Sequence, residues 1–100
     1  MSVFEALADP TRRQIVELLA SGERSAGEIA GAFTVSRPGI SRHLRVLREA
    51  GVASFESRGQ RRVYRLDADR LGEAEAWLAR QSRDWNARLD ALEDHLRRKD

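Results

Sequence analysis

The stretch that decides the fold is Ser36-Arg37-Pro38-Gly39-Ile40-Ser41-Arg42-His43-Leu44-Arg45-Val46-Leu47-Arg48-Glu49-Ala50-Gly51. It carries the marks of one helix with two defined ends. A serine at the start can accept a hydrogen bond from a free N–H of the first turn, and proline is tolerated there because no backbone donor is needed. The closing glycine can adopt the left-handed conformation that ends a helix. The sequence therefore predicts a helix over residues 36–50.

The two faces of this helix differ in chemistry. Ile40, Leu44 and Leu47 recur at spacings of four and three residues, so they share one face. Arginines and serines occupy most of the other face, where they can donate hydrogen bonds to a DNA groove. Taken alone, the pattern fits a surface helix with solvated arginines equally well. The neighbouring segments favour the first interpretation.

Basic charge is concentrated around this helix. Residues 36–65 hold eight arginines and two acidic residues, a net charge of +6, while the rest of the chain holds ten basic and fourteen acidic residues, a net charge of −4. That distribution is typical of an element that binds a polyanion. The 100 residues contain no cysteine, which excludes disulfides and thiolate metal sites. We see no signal peptide or membrane span and expect a soluble cytoplasmic protein.

Three shorter helical segments are expected before the basic helix. Residues 1–8 form a short apolar opening, with Val3, Phe4 and Leu7 at helical spacing. Asp9 can cap a helix over residues 10–20, with Pro10 at its first position. Ser25 and Glu28 have the spacing of a capping box, in which each side chain accepts from the other residue's N–H. Two short helices joined by a few residues, the second with a basic face, are typical of a helix-turn-helix.

A β-hairpin is expected after the basic helix. Residues 52–57 and 61–66 alternate as strands do, and Arg58-Gly59-Gln60 supplies the turn. The hairpin is rich in arginine, and we interpret it as a wing that reaches DNA phosphates. The alternative is an edge hairpin that charge protects from aggregation.

Residues 67–100 form one long helical pattern, with Asp67 or Asp69 as its cap. Apolar residues recur every seven positions, with others four residues after them, which predicts helix pairing. We expect the first turns to pack on the chain's own core and the later turns on a second copy, with Trp77 able to serve either surface. The predicted dimer interface comprises Phe4, Leu78, Trp85, Leu89, Leu92 and Leu96.

These elements predict a mainly α protein with a small β-hairpin (α+β), organised as a single domain over residues 1–100. Residues 1–66 would form the DNA-binding core and wing, and residues 67–100 the dimerisation helix. The chain resembles the winged helix-turn-helix repressors of the ArsR family over roughly residues 3–66. The resemblance lies in residues 4–15 (FEALADPTRRQI), 36–44 (SRPGISRHL) and 46–52 (VLREAGV).

The resemblance implies a dimeric repressor of its own or a neighbouring operon, and a dimer predicts a partly palindromic DNA site. Many members of the family release DNA when they bind a metal. Here the cysteines of one family site are missing, and the terminal helix offers only His95 beside a few acids for the other. We therefore expect no metal and no cofactor. An effector or partner protein that relieves repression is not identified by the sequence.

Other classes of protein fit the sequence less well. The chain lacks a paired nucleophile and base and a glycine-rich phosphate loop, so we do not expect an enzyme. A protein-interaction module would not need the basic field, and an RNA-binding protein would show exposed aromatic residues for base stacking.

Specific roles follow for the basic helix, whose N-terminal half should enter the major groove. Arg37, Ser41 and Arg42 are the candidates for base-edge contacts, because arginine fits the two acceptors of guanine and serine can donate or accept. Gly39 would permit a close approach, and His43 either contacts DNA or packs in the core. The full predicted DNA-binding set is Ser36, Arg37, Pro38, Gly39, Ser41, Arg42, His43, Arg45, Arg58, Arg61 and Arg62.

Overall fold

The computed structural model describes residues 1–98, which contain five helices and three strands. In chain order these are α1 (Val3–Ala6), α2 (Pro10–Ala20), β1 (Arg24–Ser25), α3 (Ala26–Gly31), α4 (Arg37–Glu49), β2 (Ala53–Arg58), β3 (Arg61–Leu66) and α5 (Ala68–Arg98). The fold class is the predicted one, mainly α with a small antiparallel sheet.

The helix ends lie where the sequence placed them. The Ser36 hydroxyl accepts a hydrogen bond from the N–H of Gly39 at 3.3 Å, and Gly51 follows α4 with a φ of 76°. Asp9 accepts from the N–H of Arg12 at 3.0 Å, so α2 begins at Pro10 as predicted. Short polar side chains thus satisfy the free donors of both helices.

The sheet has one strand more than the predicted hairpin. β1 pairs with β3 through Arg24 opposite Tyr64 and Ser25 opposite Val63, which gives the antiparallel order β1-β3-β2. Ser25 also caps α3 through the predicted capping box, since its N–H donates to Glu28 and its hydroxyl accepts in return, both at 3.1 Å. Strand β3 of the hairpin therefore has a second neighbour, β1, which directly precedes α3 of the helix-turn-helix.

A small core lies between the helices and the sheet. Its largest fully buried side chains are Ile15, Ile29, Ile40, Leu47 and Val52. The predicted inner stripe of α4 is confirmed, because all three of its apolar residues are buried. Tyr64 closes the core from the sheet side with only 4% of its surface exposed. The core thus fixes α4 to the scaffold along its inner face and leaves the opposite face free.

Helix α5 begins on the core and then leaves it. Asp67 accepts from the N–H of Arg70 at 3.1 Å and is the cap, which settles the choice between the two predicted aspartates. Leu71 and Ala74 pack against the core, as expected for the first turns. No residue of α5 is fully buried among those described, and the helix stretches the molecule to 70 × 26 × 24 Å. Residues 99–100 of the predicted helix lie outside the described part.

Candidate nucleic-acid interface

The exposed side of α4 is basic along its length. Arg42 and Arg45 are both exposed, on the side away from the buried stripe of Ile40, Leu44 and Leu47. Ser41 is also exposed and lines a small cavity toward α3. A helix fixed by its inner face, with arginine and serine outward, can present hydrogen-bond donors to the edges of bases in a major groove.

Arg37 lines that small cavity together with Ser41, and it also extends toward the wing. It lines a cleft of about 610 Å³ between α3 and the β2–β3 hairpin, and Arg61 and Arg62 line the same cleft from β3. We call this the arginine cleft. Three of the predicted DNA-binding residues are therefore brought together here, although they lie on separate elements.

His43 faces α2 instead of the outer side of α4. Its Nδ1 lies 3.4 Å from the guanidinium of Arg12 and 3.9 Å from a carboxylate oxygen of Asp9, and its side chain is only 19% exposed. The backbone N–H of Arg12, which donates to the Asp9 carboxylate, lowers the pKa of Asp9 and outweighs the opposing effect of desolvation. His43 thus packs at the junction of α2 and α4, at the edge of the core.

Gly39 has a packing reason to be glycine. A Cβ at this position would lie 2.7 Å from Cγ1 of Val35 and 3.2 Å from the Ser36 hydroxyl. Both atoms belong to the turn that joins α3 to α4, so the missing side chain lets this turn close tightly. The neighbouring Pro38 is exposed at the start of α4.

The arginines of the wing (β2, β3 and their turn) fall into two groups. Arg58 lies 3.1 Å from Glu23 and 3.4 Å from Glu56, and its hydrogen bond to Glu56 raises its pKa. Arg61 and Arg62 make no ion pair with the carboxylates of residues 1–98. Of the predicted wing contacts, these two are therefore more available to a phosphate than Arg58.

Phe55 joins the wing to α4, a role that the sequence did not reveal. The guanidinium carbons of Arg48 and Arg62 lie 4.9 and 4.8 Å from the centre of its ring. Both distances fit cation–π contacts. Strand alternation places Phe55 opposite Tyr64 but gives no sign that arginines from two other elements would stack on it.

A second surface, which is apolar, lies on α5. Leu78, Trp85, Leu89, Leu92 and Leu96, which we call the α5 seam, are all exposed, Trp85 to 60%. Trp77 packs on Phe4 with ring centres 5.4 Å apart, and both rings remain partly exposed. Every residue predicted for a dimer interface is therefore accessible.

Within residues 1–98, no group of three or more histidine or acidic side chains is placed to hold a metal ion. None of the helices in that range has the length and apolar character needed to cross a membrane. The surfaces that the described residues offer are thus the basic one around α4 and the apolar one on α5.

Comparison with known proteins defines the class. The bacterial regulatory protein family arsR matches residues 9–54, which include the whole helix-turn-helix. The transcriptional repressor SdpR of Bacillus subtilis is 43% identical over 77% of this chain and 86% of its own length. The regulator Rv2034 of Mycobacterium tuberculosis is 52% identical over 64% of this chain and 60% of its own. An ArsR-like transcriptional regulator from Rhodococcus superposes with a TM-score of 0.81 at 33% identity, over 92% of this chain and 87% of that one.

The chain belongs to the ArsR family of bacterial regulators. It is a DNA-binding transcription regulator with a winged helix-turn-helix, and its family is one of regulators, not enzymes.

Proposed function

We propose that this protein is a homodimeric repressor that binds a specific, partly palindromic DNA site near its own or a neighbouring gene in the cytoplasm. Each copy of the chain is a single domain. Its residues 1–66 bind the DNA, and its residues 67–100 pair with the second copy. An effector or partner protein relieves repression. The observation that carries the proposal is the outward arginine face of α4 beside a wing in which Arg61 and Arg62 form no ion pair with residues 1–98.

Sequence-specific binding is supported by the position of α4. The buried face of the helix leaves Arg42 and Ser41 free to approach base edges, and Arg45 lies one turn further along. Arginine can bind the two acceptors of guanine with its two parallel donors. The wing follows directly in sequence and would contact the backbone beside the groove.

Dimer formation is supported by the α5 seam. Five large apolar side chains on one face of a helix are between 45% and 60% exposed. Such a stripe marks an interaction surface, because monomers seldom expose a long contiguous apolar patch. Regulators of this family commonly act as dimers. A two-fold dimer places two α4 helices about one DNA turn, or a multiple, apart, hence the partly palindromic site.

The test is fluorescence anisotropy of the full chain on duplex DNA from upstream of its own gene and of the neighbouring genes, against scrambled duplexes of equal length. Each duplex is titrated at low salt and at about 150 mM salt, where non-specific contacts are weakened. We expect tight binding to at least one upstream duplex at both salt concentrations. Equal binding to all duplexes that disappears with salt would contradict the proposed function.

A further inference from the structure

We propose that the arginine cleft holds a segment of the DNA sugar–phosphate backbone, and that Arg37 binds a phosphate there with Arg61 and Arg62 instead of reading a base. This inference rests on the proposed function, since it concerns the same DNA. It changes the predicted role of Arg37 and adds a binding site for the DNA backbone between α3 and the wing.

The geometry of α4 separates Arg37 from Arg42, whereas Ser41 lies only about 40° from Arg37 around the helix axis and lines a small cavity with it. An α-helix turns about 100° per residue, so Arg37 and Arg42, five residues apart, differ by about 140° around the axis. Arg37 and Arg48 are eleven residues apart and differ by only about 20°. Arg48 stacks on Phe55 of the wing, 4.9 Å from its ring centre. Arg37 therefore lies on the flank of α4 that faces the wing, while Arg42 lies on the outer face.

The charge of the arginine cleft suits a phosphodiester. Glu28 is the one carboxylate among the residues that line it. Its side chain is held by the N–H of Ser25 at 3.1 Å. The N–H and hydroxyl of Ser25 lower the pKa of Glu28, and the charge of Arg61 lowers it further, so it stays ionised. Three lining arginines against one carboxylate, itself held by Ser25, leave the cleft with a net positive charge, which attracts a singly charged phosphate.

Arg62 is oriented toward this cleft from the wing side. Its guanidinium lies 4.8 Å from the ring centre of Phe55, which reduces the freedom of a long side chain. Arg58, by contrast, is engaged by Glu23 and Glu56 at the tip of the wing. Among Arg58, Arg61 and Arg62, the two that remain for a phosphate are thus the ones that line the cleft.

The first experiment compares Arg37→Ala with Arg42→Ala on the upstream and scrambled duplexes. Losing a phosphate contact weakens binding to both duplexes by the same factor, about tenfold for one charge-assisted hydrogen bond. Each lost phosphate contact also reduces the salt slope by about 0.9, or about 1.8 in a dimer. We expect this for Arg37→Ala, whereas Arg42→Ala should affect the upstream duplex much more than the scrambled one. Arg80→Ala, on the far side of α5 from the α5 seam, is the charge-matched control.

Arg37→Lys provides a second, milder variant. A lysine retains a charge for phosphate but cannot reproduce the two parallel donors that arginine offers to guanine. We expect Arg37→Lys to restore most of the affinity that Arg37→Ala loses, and Arg42→Lys to restore little preference for the upstream duplex. If Arg37→Lys loses that preference as Arg42→Lys does, Arg37 reads a base and the inference fails.

Modified DNA tests the same contact on the wild-type protein. In a series of upstream duplexes, one phosphate at a time is replaced by an uncharged methylphosphonate. One position per half-site should weaken wild-type binding but leave Arg37→Ala unaffected. If Arg37→Ala still responds at every position as the wild type does, Arg37 binds no phosphate and the inference is overturned while the proposed function stands. If the wild type shows no preference for the upstream duplex, the proposed function itself is wrong.

Discussion

Helices α4 and α5 are both amphipathic, yet the apolar face of α4 is buried and that of α5 is largely exposed. In α4 the inner face is fully covered by the chain's own core, and Leu47 is completely buried. In α5, which is 31 residues long, no side chain is fully buried. The same kind of sequence pattern thus occurs on a buried surface in α4 and on an exposed surface in α5. Periodicity shows that a helix has an apolar face, but the cover for that face must come from elsewhere in the chain or from another molecule.

The difference also separates two kinds of function. α4 is held by the fold of a single chain, so its outer face can be a rigid platform for DNA. Beyond its first turns, α5 has nothing within residues 1–98 to cover the α5 seam. Substitutions in α4 and α5 test whether only the apolar face of α4 is covered by the chain's own core.

Truncating one leucine in each helix should give the largest difference between α4 and α5, measured as the change in the free energy of unfolding. Leu47→Ala removes a fully buried side chain and should lower the free energy of unfolding by about 3–5 kcal/mol. Leu89→Ala, at a side chain that is 45% exposed, should change it by less than about 1 kcal/mol in dilute, monomeric protein. Urea denaturation measures both. Equal losses would mean that α5 folds back on its own core.

A charge in the α5 seam should prevent self-association. Leu92→Asp removes the burial of one leucine from each copy, which weakens the dimer by about 3 kcal/mol or more. Ala87→Asp is the matched control, because five residues place it about 140° around the helix from Leu92. Sedimentation should give a monomer mass for Leu92→Asp and a dimer mass for Ala87→Asp. A dimer mass for both variants would rule out the proposed seam.

Removing the outward arginine of α4 should affect DNA binding without affecting stability. Arg42→Ala should weaken binding to the upstream duplex by about 2 kcal/mol and relax the preference at one base pair. Its free energy of unfolding should stay within about 0.5 kcal/mol of the wild type, because the side chain is exposed. Anisotropy and urea denaturation report the two quantities separately. A stability loss that equals the binding loss would show that Arg42 supports the fold.

The smallest effect comes from a glycine in each helix. A Cβ added at Gly72 of α5 would have no neighbour within 4 Å, so Gly72→Ala should raise the free energy of unfolding by about 0.5–1 kcal/mol. Gly39→Ala in α4 should lower it, because the new methyl group would meet Val35. Thermal denaturation can resolve the opposite signs. An increase in both variants would show that the turn before α4 adjusts without cost.

Local signals made most of the fold predictable from the sequence. Asp9 and Pro10 mark the start of α2, and Ser36 and Gly51 mark the two ends of α4, because each satisfies a conformational need within a few residues. β1 was missed for the opposite reason. It has only two residues, and what makes it a strand is pairing with Tyr64 and Val63, about forty positions away.

The candidate site was predicted as a set of residues but not as an arrangement. Charge alone identified the arginines of α4 and the wing. It could not show that Glu23 and Glu56 engage Arg58, or that His43 turns toward Asp9 and Arg12. Those contacts depend on how separate elements pack, which one sequence does not state.

The length of α5 gives the molecule a lever arm. Its 31 residues span about 46 Å at 1.5 Å per residue. Leu71 and Ala74 pack the first turns of α5 against the core. The core and α4 therefore move with α5 when the tilt of α5 changes. Over that length, a tilt of about 5° moves the far end by about 4 Å, more than the 3.4 Å rise of one base pair. In the proposed dimer, a tilt of a few degrees between the two α5 helices would shift the two α4 helices relative to each other on DNA by a few ångströms.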